Sequence, residues 1–130
     1  MSYDLSFWVQ SARMTLSPKQ IYLRLCDGKT VPGLAQLPMA DIVARFEQDF
    51  AKGWRRPIGE AAPKPRAKSV TMSWEKKRGR GAFQLSLSAR AFRVDCYGVA
   101  TKDLNRIVDI GLAFDCPLYD PQVDQRYSLG

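Results

Sequence analysis

Residues 69–99, SVTMSWEKKRGRGAFQLSLSARAFRVDCYGV, contain three consecutive runs in which apolar and polar residues alternate. The apolar positions are Val70, Met72, Trp74, Phe83, Leu85, Leu87, Phe92, Val94 and Cys96. A period of two is typical of strands with one buried face, and consecutive strands favour antiparallel pairing. The connection Ala89-Arg90-Ala91 lacks the Asn-Gly signature of a tight hairpin. The last two runs are therefore either two strands or one long bent strand.

Further elements flank this centre on both sides. The segment YDLSFWV at residues 3–9 alternates in the same way and predicts a first strand. Three segments have helical apolar spacing or helix-capping residues: SPKQIYLRLC, MADIVARFEQDFAKG and KDLNRIVDIGLAF. Near the end of the chain, PLYD and QRYSL predict one or two short strands.

This order of elements predicts an α+β fold, in which a single antiparallel or mixed sheet of four to six strands carries about three helices. We expect the helices to cover one face of the sheet and residues 1–130 to form a single domain. The expected core consists of Leu5, Phe7, Ile42, Phe46, Met72, Phe83, Leu85, Leu87, Val94, Ile107 and Val108. Three prolines and a lack of periodicity predict a basic, Pro-rich loop at residues 53–68.

The chain contains no histidine, and this excludes the commonest nucleophile-activating pairs, Ser–His and Cys–His. No GxSxG, P-loop or EF-hand pattern is present either. Cys26, Cys96 and Cys116 are an odd number at wide spacing, which favours free thiols over a disulfide framework or a zinc site. The sequence therefore predicts a protein that is not an enzyme, with no catalytic residues, no metal and no cofactor.

Positive charge is concentrated in the middle of the chain. Residues 52–80 carry ten basic residues against two acidic ones, although the net charge of the whole chain is only +7. No run approaches the roughly 20 apolar residues of a membrane span, and the N-terminus lacks the basic and apolar regions of a secretory signal. These features predict a cytoplasmic protein with no membrane partner.

The stretch WEKKRGRGAF, residues 74–83, predicts a hairpin turn that is rich in glycine and positive charge. Together with the preceding loop it provides the candidate partner-binding residues, which are Trp54, Arg55, Arg56, Lys76, Lys77, Arg78 and Arg80. Three interpretations remain open at this point. The turn is only solvated, or it binds an acidic protein, or it binds nucleic acid with the help of stacking tryptophans.

The two ends of the chain carry a resemblance to a class of proteins. The segments YDLSFW, DLNRIVDI and CPLYDPQVDQRYSL resemble those of small bacterial proteins of toxin-immunity type. The resemblance implies a protein-binding module in the bacterial cytosol that neutralises a toxin domain by occlusion. Immunity proteins that block nucleases usually present acidic surfaces, so the basic segment implies instead an acidic toxin surface or occlusion away from the catalytic cleft. The alternative is a nucleic-acid-associated accessory protein that uses the basic segment at residues 52–80.

Overall fold

A computed structural model describes residues 2–60 and 67–127 of the chain. Within these ranges the chain forms three helices and one sheet of seven strands. The helices are α1 (Pro18–Cys26), α2 (Met39–Asp49) and α3 (Thr101–Ala113). The strands are β1 (Ser2–Phe7), β2 (Trp54–Arg55), β3 (Ser69–Lys76), β4 (Ala82–Ser88), β5 (Phe92–Tyr97), β6 (Leu118–Asp120) and β7 (Gln125–Tyr127). All neighbouring strands are antiparallel, in the order β2-β3-β4-β5-β1-β6-β7, which confirms the predicted α+β class.

The centre of the sheet matches the alternation in the sequence. Strands β3, β4 and β5 pair in turn, with Met72 opposite Leu85 and Leu85 opposite Val94. The alternative of one long bent strand is wrong, because a tight connection closes β4 onto β5. The Ser88 N–H donates to the Ala91 carbonyl oxygen at 2.9 Å.

The predicted number of strands, four to six, is too small, and the missing strand is β2. This strand has only two residues, so it is too short to produce a period-two pattern. It lies within the predicted loop at residues 53–68, which is therefore not a loop throughout. Trp54 pairs with Lys76 and Arg55 with Glu75, so β2 extends the sheet beyond β3. Residues 61–66 of that loop lie outside the described residues.

Helices α2 and α3 cover one face of the sheet and bury the main core. Phe46 of α2 lies at its centre, with its ring centroid 5.8 Å from that of Trp74, 6.2 Å from Phe83 and 6.1 Å from Phe92. Ile107 and the other predicted core residues are fully buried, apart from Val108, which packs against the core while partly exposed. The predicted core is thus confirmed.

Helix α1 packs on the opposite face, so the expectation that all helices cover one face is wrong. Its Ile21 forms a second cluster with Trp8 and Tyr119, whose rings have centroids 5.4 Å apart. Trp8 follows Phe7 and therefore lies on the opposite face of the sheet. Tyr119 lies on that same face, because it pairs with Ser6, the residue before Phe7. Because α1 has only nine residues, it covers one side of this face. We call the remainder the open face; its side chains include Asp4, Thr71, Ser73, Gln84, Ser86, Arg93 and Asp95.

The helix starts agree only in part with the capping residues in the sequence. At α1 the predicted capping box is present, because the Gln20 N–H donates to Ser17 Oγ and the Ser17 N–H donates to the Gln20 side chain. At α3 the capping-type residue Thr101 is already the first residue of the helix, the N-cap is Ala100, and no side chain caps this helix. An acidic residue in its first turn, Asp103, has a different role that is described below.

Gly111 of α3 lies directly against Phe7 of β1. A Cβ atom at this position would lie 2.6 Å from Phe7 Cε1 and 2.9 Å from the Cys116 carbonyl oxygen. Helix propensity alone favours Gly111→Ala by about 1 kcal/mol, whereas overpacking a buried site costs about 1–3 kcal/mol. Phe7 is fully buried and cannot move aside, so the overpacking cost should lie at the upper end of this range, about 2–3 kcal/mol. We therefore expect a net loss of about 1–2 kcal/mol in the free energy of unfolding, measured with urea.

A substitution on the exposed side of the same helix provides the control. Asn105→Ala should leave the urea midpoint unchanged or raise it slightly, because Asn105 is exposed and alanine has the higher helix propensity. A Gly111→Ala variant as stable as the wild type would show that α3 can move away from β1.

All three cysteines are free, but their environments differ. Cys96 and Cys116 are buried, whereas Cys26 is exposed. Burial raises the pKa of the Cys96 thiol to about 12 and that of Cys116 to about 11. Because the thiolate is the reactive form, we expect iodoacetamide at about pH 8 to modify Cys26 alone in the folded protein. Peptide mass mapping identifies the modified residues, and all three thiols should react after unfolding. Rapid modification of Cys96 in the folded protein would contradict the burial of this side chain in β5.

Candidate cationic interaction surface

The predicted hairpin is present, and its turn is joined to two neighbouring segments. The Lys76 N–H donates to the Gly81 carbonyl oxygen at 2.9 Å, which closes the turn between β3 and β4. The Lys77 N–H donates to the carbonyl oxygen of Gly53 at 2.9 Å, which ties the turn to the segment before β2. Gly79 has a φ of 86°, a conformation that residues with a Cβ rarely adopt. These contacts hold the turn in place at one end of the sheet.

Lys76 points inward from the turn and stabilises the fold. Its Nζ lies 3.7 Å from Asp103 Oδ2 and 5.9 Å from the centroid of the Trp54 ring. Asp103 is buried in the first turn of α3, where Arg106 Nη1 also donates to it at 3.3 Å. The carboxylate therefore joins the hairpin to α3. The sequence places Asp103 in the first turn of a helix, but nothing in it indicates that this residue pairs with Lys76.

The three candidate residues of β2 and its continuation lie together, but they are not equally accessible. Trp54 is only 4% exposed and packs edge-on against Phe50, so most of its indole ring is covered within the protein. Arg55 is exposed and lies 3.4 Å from Glu75 Oε2. Trp54, Arg55 and Arg56 line one depression of about 190 Å³. Of the three residues only Arg55 is exposed.

Arg56 is largely engaged within the protein. Its Nε donates to the Ser73 carbonyl oxygen at 2.8 Å, and its guanidinium lies 5.0 Å from the centroid of the Trp74 ring. It also forms an ion pair with Glu60, which accepts the Ser73 N–H at 2.8 Å. Arg56 and Glu60 thus satisfy the backbone groups of Ser73 at the outer edge of β3.

The remaining candidates, Lys77, Arg78 and Arg80, are exposed at the turn itself. Two more exposed lysines are neighbours in sequence of residues that contact this hairpin. Lys52 precedes Gly53, whose carbonyl oxygen accepts from Lys77, and Lys102 precedes Asp103, which pairs with Lys76. We call these five residues the cationic end: Lys52, Lys77, Arg78, Arg80 and Lys102. Among residues 2–60 and 67–127, none of the five has an ion-pair partner. The cationic end is therefore a surface of uncompensated positive charge.

Comparison with known proteins assigns no family to this surface. No family model, no curated protein and no solved structure matches the chain. The resemblance of the chain ends to toxin-immunity proteins remains a prediction, and the cationic end has to be interpreted from its own charges and contacts.

Two exposed apolar side chains were not identified from the sequence, and one of them is close to the cationic end. Tyr97 is 54% exposed, and it lies on the open face opposite Ala82, next to the turn. Ile58 is fully exposed in the segment that follows β2, two residues beyond Arg56. The outward parity of Tyr97 in β5 was a usable signal, whereas no pattern in the sequence indicated that Ile58 is exposed.

The open face carries a separate group of charges away from the turn. Asp4 and Asp95 are opposite each other on β1 and β5, and Arg93 Nε lies 3.1 Å from Asp95 Oδ1. Burial, followed by a hydrogen bond with Asp4, raises the pKa of Asp95. This pair is 91 positions apart along the chain, so only the sheet brings the two aspartates together.

The described residues offer neither a membrane span nor a metal centre. No helix among residues 2–60 and 67–127 is both long and apolar enough to cross a membrane. In the same ranges, no three His, Cys, Asp or Glu side chains are grouped so that they could hold a metal ion. The predicted lack of enzymatic activity, of a metal and of a cofactor remains a prediction.

Proposed function

We propose that the protein is a binding module whose cationic end docks onto an acidic surface of a protein partner. The observation that carries the proposal is the group of five exposed cations without ion pairs in the described part of the chain. Such a group raises the association rate with an acidic partner through long-range attraction, and it repels basic ones.

The rigid support of the turn favours binding over mere solubility. A solvated turn needs only glycine and charge, whereas this one is fixed by the backbone contact to Gly53 and by the Lys76–Asp103 ion pair. A surface that is ordered before binding loses less conformational entropy when the partner docks.

The accessible side chains favour a protein partner over nucleic acid. Trp54 and Trp74 are both buried, so neither can stack on a base. Tyr97 and Ile58 are exposed instead, and tyrosine and arginine are enriched at the centres of protein interfaces. Nucleic acid that binds through its phosphates alone remains the alternative outcome.

The resemblance of the chain ends supports a more specific form of the proposal. In that form, the partner is a bacterial toxin domain, and the complex forms in the cytoplasm. The protein would then neutralise the toxin by occlusion, with its cationic end against an acidic surface outside any basic catalytic cleft. This form requires no catalytic group on the protein.

Capture from a host lysate, with and without nuclease digestion, tests the class of partner. The immobilised protein should retain an acidic protein in near-stoichiometric amount after digestion, and raised salt should release it. Retention that disappears on nuclease digestion would assign the surface to nucleic acid. A retained protein with a basic surface would contradict the charge argument.

A further inference from the structure

A second depression, unrelated to the cationic end, lies on the open face of the sheet. It has a volume of about 230 Å³ and is bounded by α1 on one side and by β3, β4 and β5 below. Its floor is unusually rich in hydroxyl groups, and its hydroxyl-bearing residues from the strands are Ser6, Ser69, Thr71, Ser86 and Ser88. Small side chains at these positions leave the space that larger ones would fill.

One row of side chains across four strands forms the centre of the floor. Ser6 pairs with Arg93, Arg93 with Ser86, and Ser86 with Thr71. Adjacent strands are about 4.8 Å apart, so these hydroxyl-bearing residues lie in one row on both sides of Arg93, and Ser6 is the buried member of the row. Within the described residues, the hydroxyls of Ser6, Ser86 and Thr71 make no hydrogen bond to another side chain or to the backbone.

Arg93 is the one charged residue that lines this depression. Its Nη1 donates to Cys26 Sγ at 3.3 Å, and its Nε lies 3.1 Å from Asp95 Oδ1. Asp95 belongs to the next row of the open face and does not line the depression. These two contacts hold the guanidinium in place; Asp95 pairs with it from outside the depression, and no carboxylate lines the depression itself.

Helix α1 supplies an apolar wall above the polar floor. Tyr22 and Leu25 are half-buried there, one turn apart on the face of α1 that points to the sheet. A pocket with an apolar wall and a few convergent polar groups is the usual form of a small-molecule site. A planar guanidinium is suited to a carboxylate, which it can hold by two parallel hydrogen bonds.

We propose that this depression binds a small organic carboxylate, with the carboxylate on Arg93 and its hydroxyl neighbours and the apolar part against Tyr22 and Leu25. This site is independent of the proposed binding of a protein partner. The two surfaces share no residue, so the failure of either proposal leaves the other unaffected.

Benzoate and benzamide provide a matched pair of probes, since they share size and shape but only benzoate carries a negative charge. In amide NMR spectra of the isotope-labelled protein, benzoate should shift the signals of Ser6, Ser86 and Arg93 in a saturable manner. Benzamide should bind about tenfold or more weakly, because it cannot form the charge-assisted pair.

Three variants test the roles of the individual groups. Arg93→Gln should weaken the affinity for benzoate by about tenfold or more. Arg93→Lys should retain only part of the affinity, since lysine keeps the charge but cannot form two parallel hydrogen bonds to a carboxylate. Ser86→Phe should also abolish binding, because the phenylalanine ring fills the depression. Arg93 is unchanged in this variant, and β4 should still form because phenylalanine is a good strand former.

The following results would overturn the proposal. They are the absence of any saturable shift with benzoate, equal binding of benzoate and benzamide, or a folded Arg93→Gln or Ser86→Phe variant that binds benzoate as well as the wild type. The dispersion of the amide spectrum of each variant reports whether it is folded, and Arg93→Lys provides the comparison if Arg93→Gln does not fold.

Discussion

Replacing Phe46 by alanine is expected to lower the free energy of unfolding by about 3–5 kcal/mol. The Phe46 ring contacts those of Phe50, Trp74, Phe83 and Phe92, so it joins α2 to three strands of the sheet. Truncation removes its buried surface and leaves a cavity that the surrounding rings are too constrained to fill. Urea denaturation followed by tryptophan fluorescence measures the change.

The same helix offers a control for this prediction. Gln48 is exposed on the other side of α2, so Gln48→Ala should change the free energy of unfolding by less than about 0.5 kcal/mol. If Phe46→Ala had a denaturation midpoint like that of the wild type, the packing of α2 on the sheet would be wrong.

The central strands could be predicted because their sequence determines which side chains face inward. In β3, β4 and β5 every second residue is apolar over six or more positions, and a shift by one would expose the entire set. The two-residue β2 has no such pattern. Its pairing depends on the distant Lys76 and Glu75, and this contact places Trp54 in the core.

The position of α1 could not be predicted for a related reason. Trp8 has the opposite parity to Phe7, and one large residue at the end of a strand does not reveal that a second cluster forms there. Tyr119 completes that cluster from a three-residue strand more than 100 positions away.

The sequence indicated which residues are basic near the turn, but it did not indicate which of these basic side chains are exposed. Charge density located Lys77, Arg78 and Arg80, because unpaired lysine and arginine residues are nearly always exposed. It could not distinguish them from Lys76, which reaches Asp103, or from Arg56, which reaches Glu60. Asp103 is far from Lys76 along the chain, and Glu60 follows Arg56 in a segment without a regular pattern. Only the folded structure therefore distinguishes the cations that form internal ion pairs from the exposed ones.

Reversing the charge of Lys77, Arg78 and Arg80 to glutamate should produce the largest functional effect. We call this the tip variant; it leaves Lys76 unchanged, since Lys76 holds the hairpin to α3. Association with an acidic partner should slow by about tenfold or more at low ionic strength, with a much smaller change in the dissociation rate. Surface plasmon resonance against the captured partner, at several salt concentrations, measures both rates.

A control variant separates this local effect from that of net charge. Arg13, Lys19 and Lys29 are exposed near α1, and their replacement by glutamate changes the net charge by the same amount as in the tip variant. Its association rate should stay within about threefold of the wild type, because charges far from the interface act through a screened field. Equal slowing of both variants would mean that net charge alone matters.

The most direct test of the central claim is the amount of protein partner captured from a nuclease-treated host lysate by three baits: the wild type, the tip variant and the control variant. We expect the wild type and the control variant to capture the same acidic protein in similar amounts, and the tip variant to capture less than about a tenth as much. Circular dichroism spectra should be the same for all three baits. Equal capture of that protein by the tip variant and the wild type would contradict the claim that the cationic end is the docking surface.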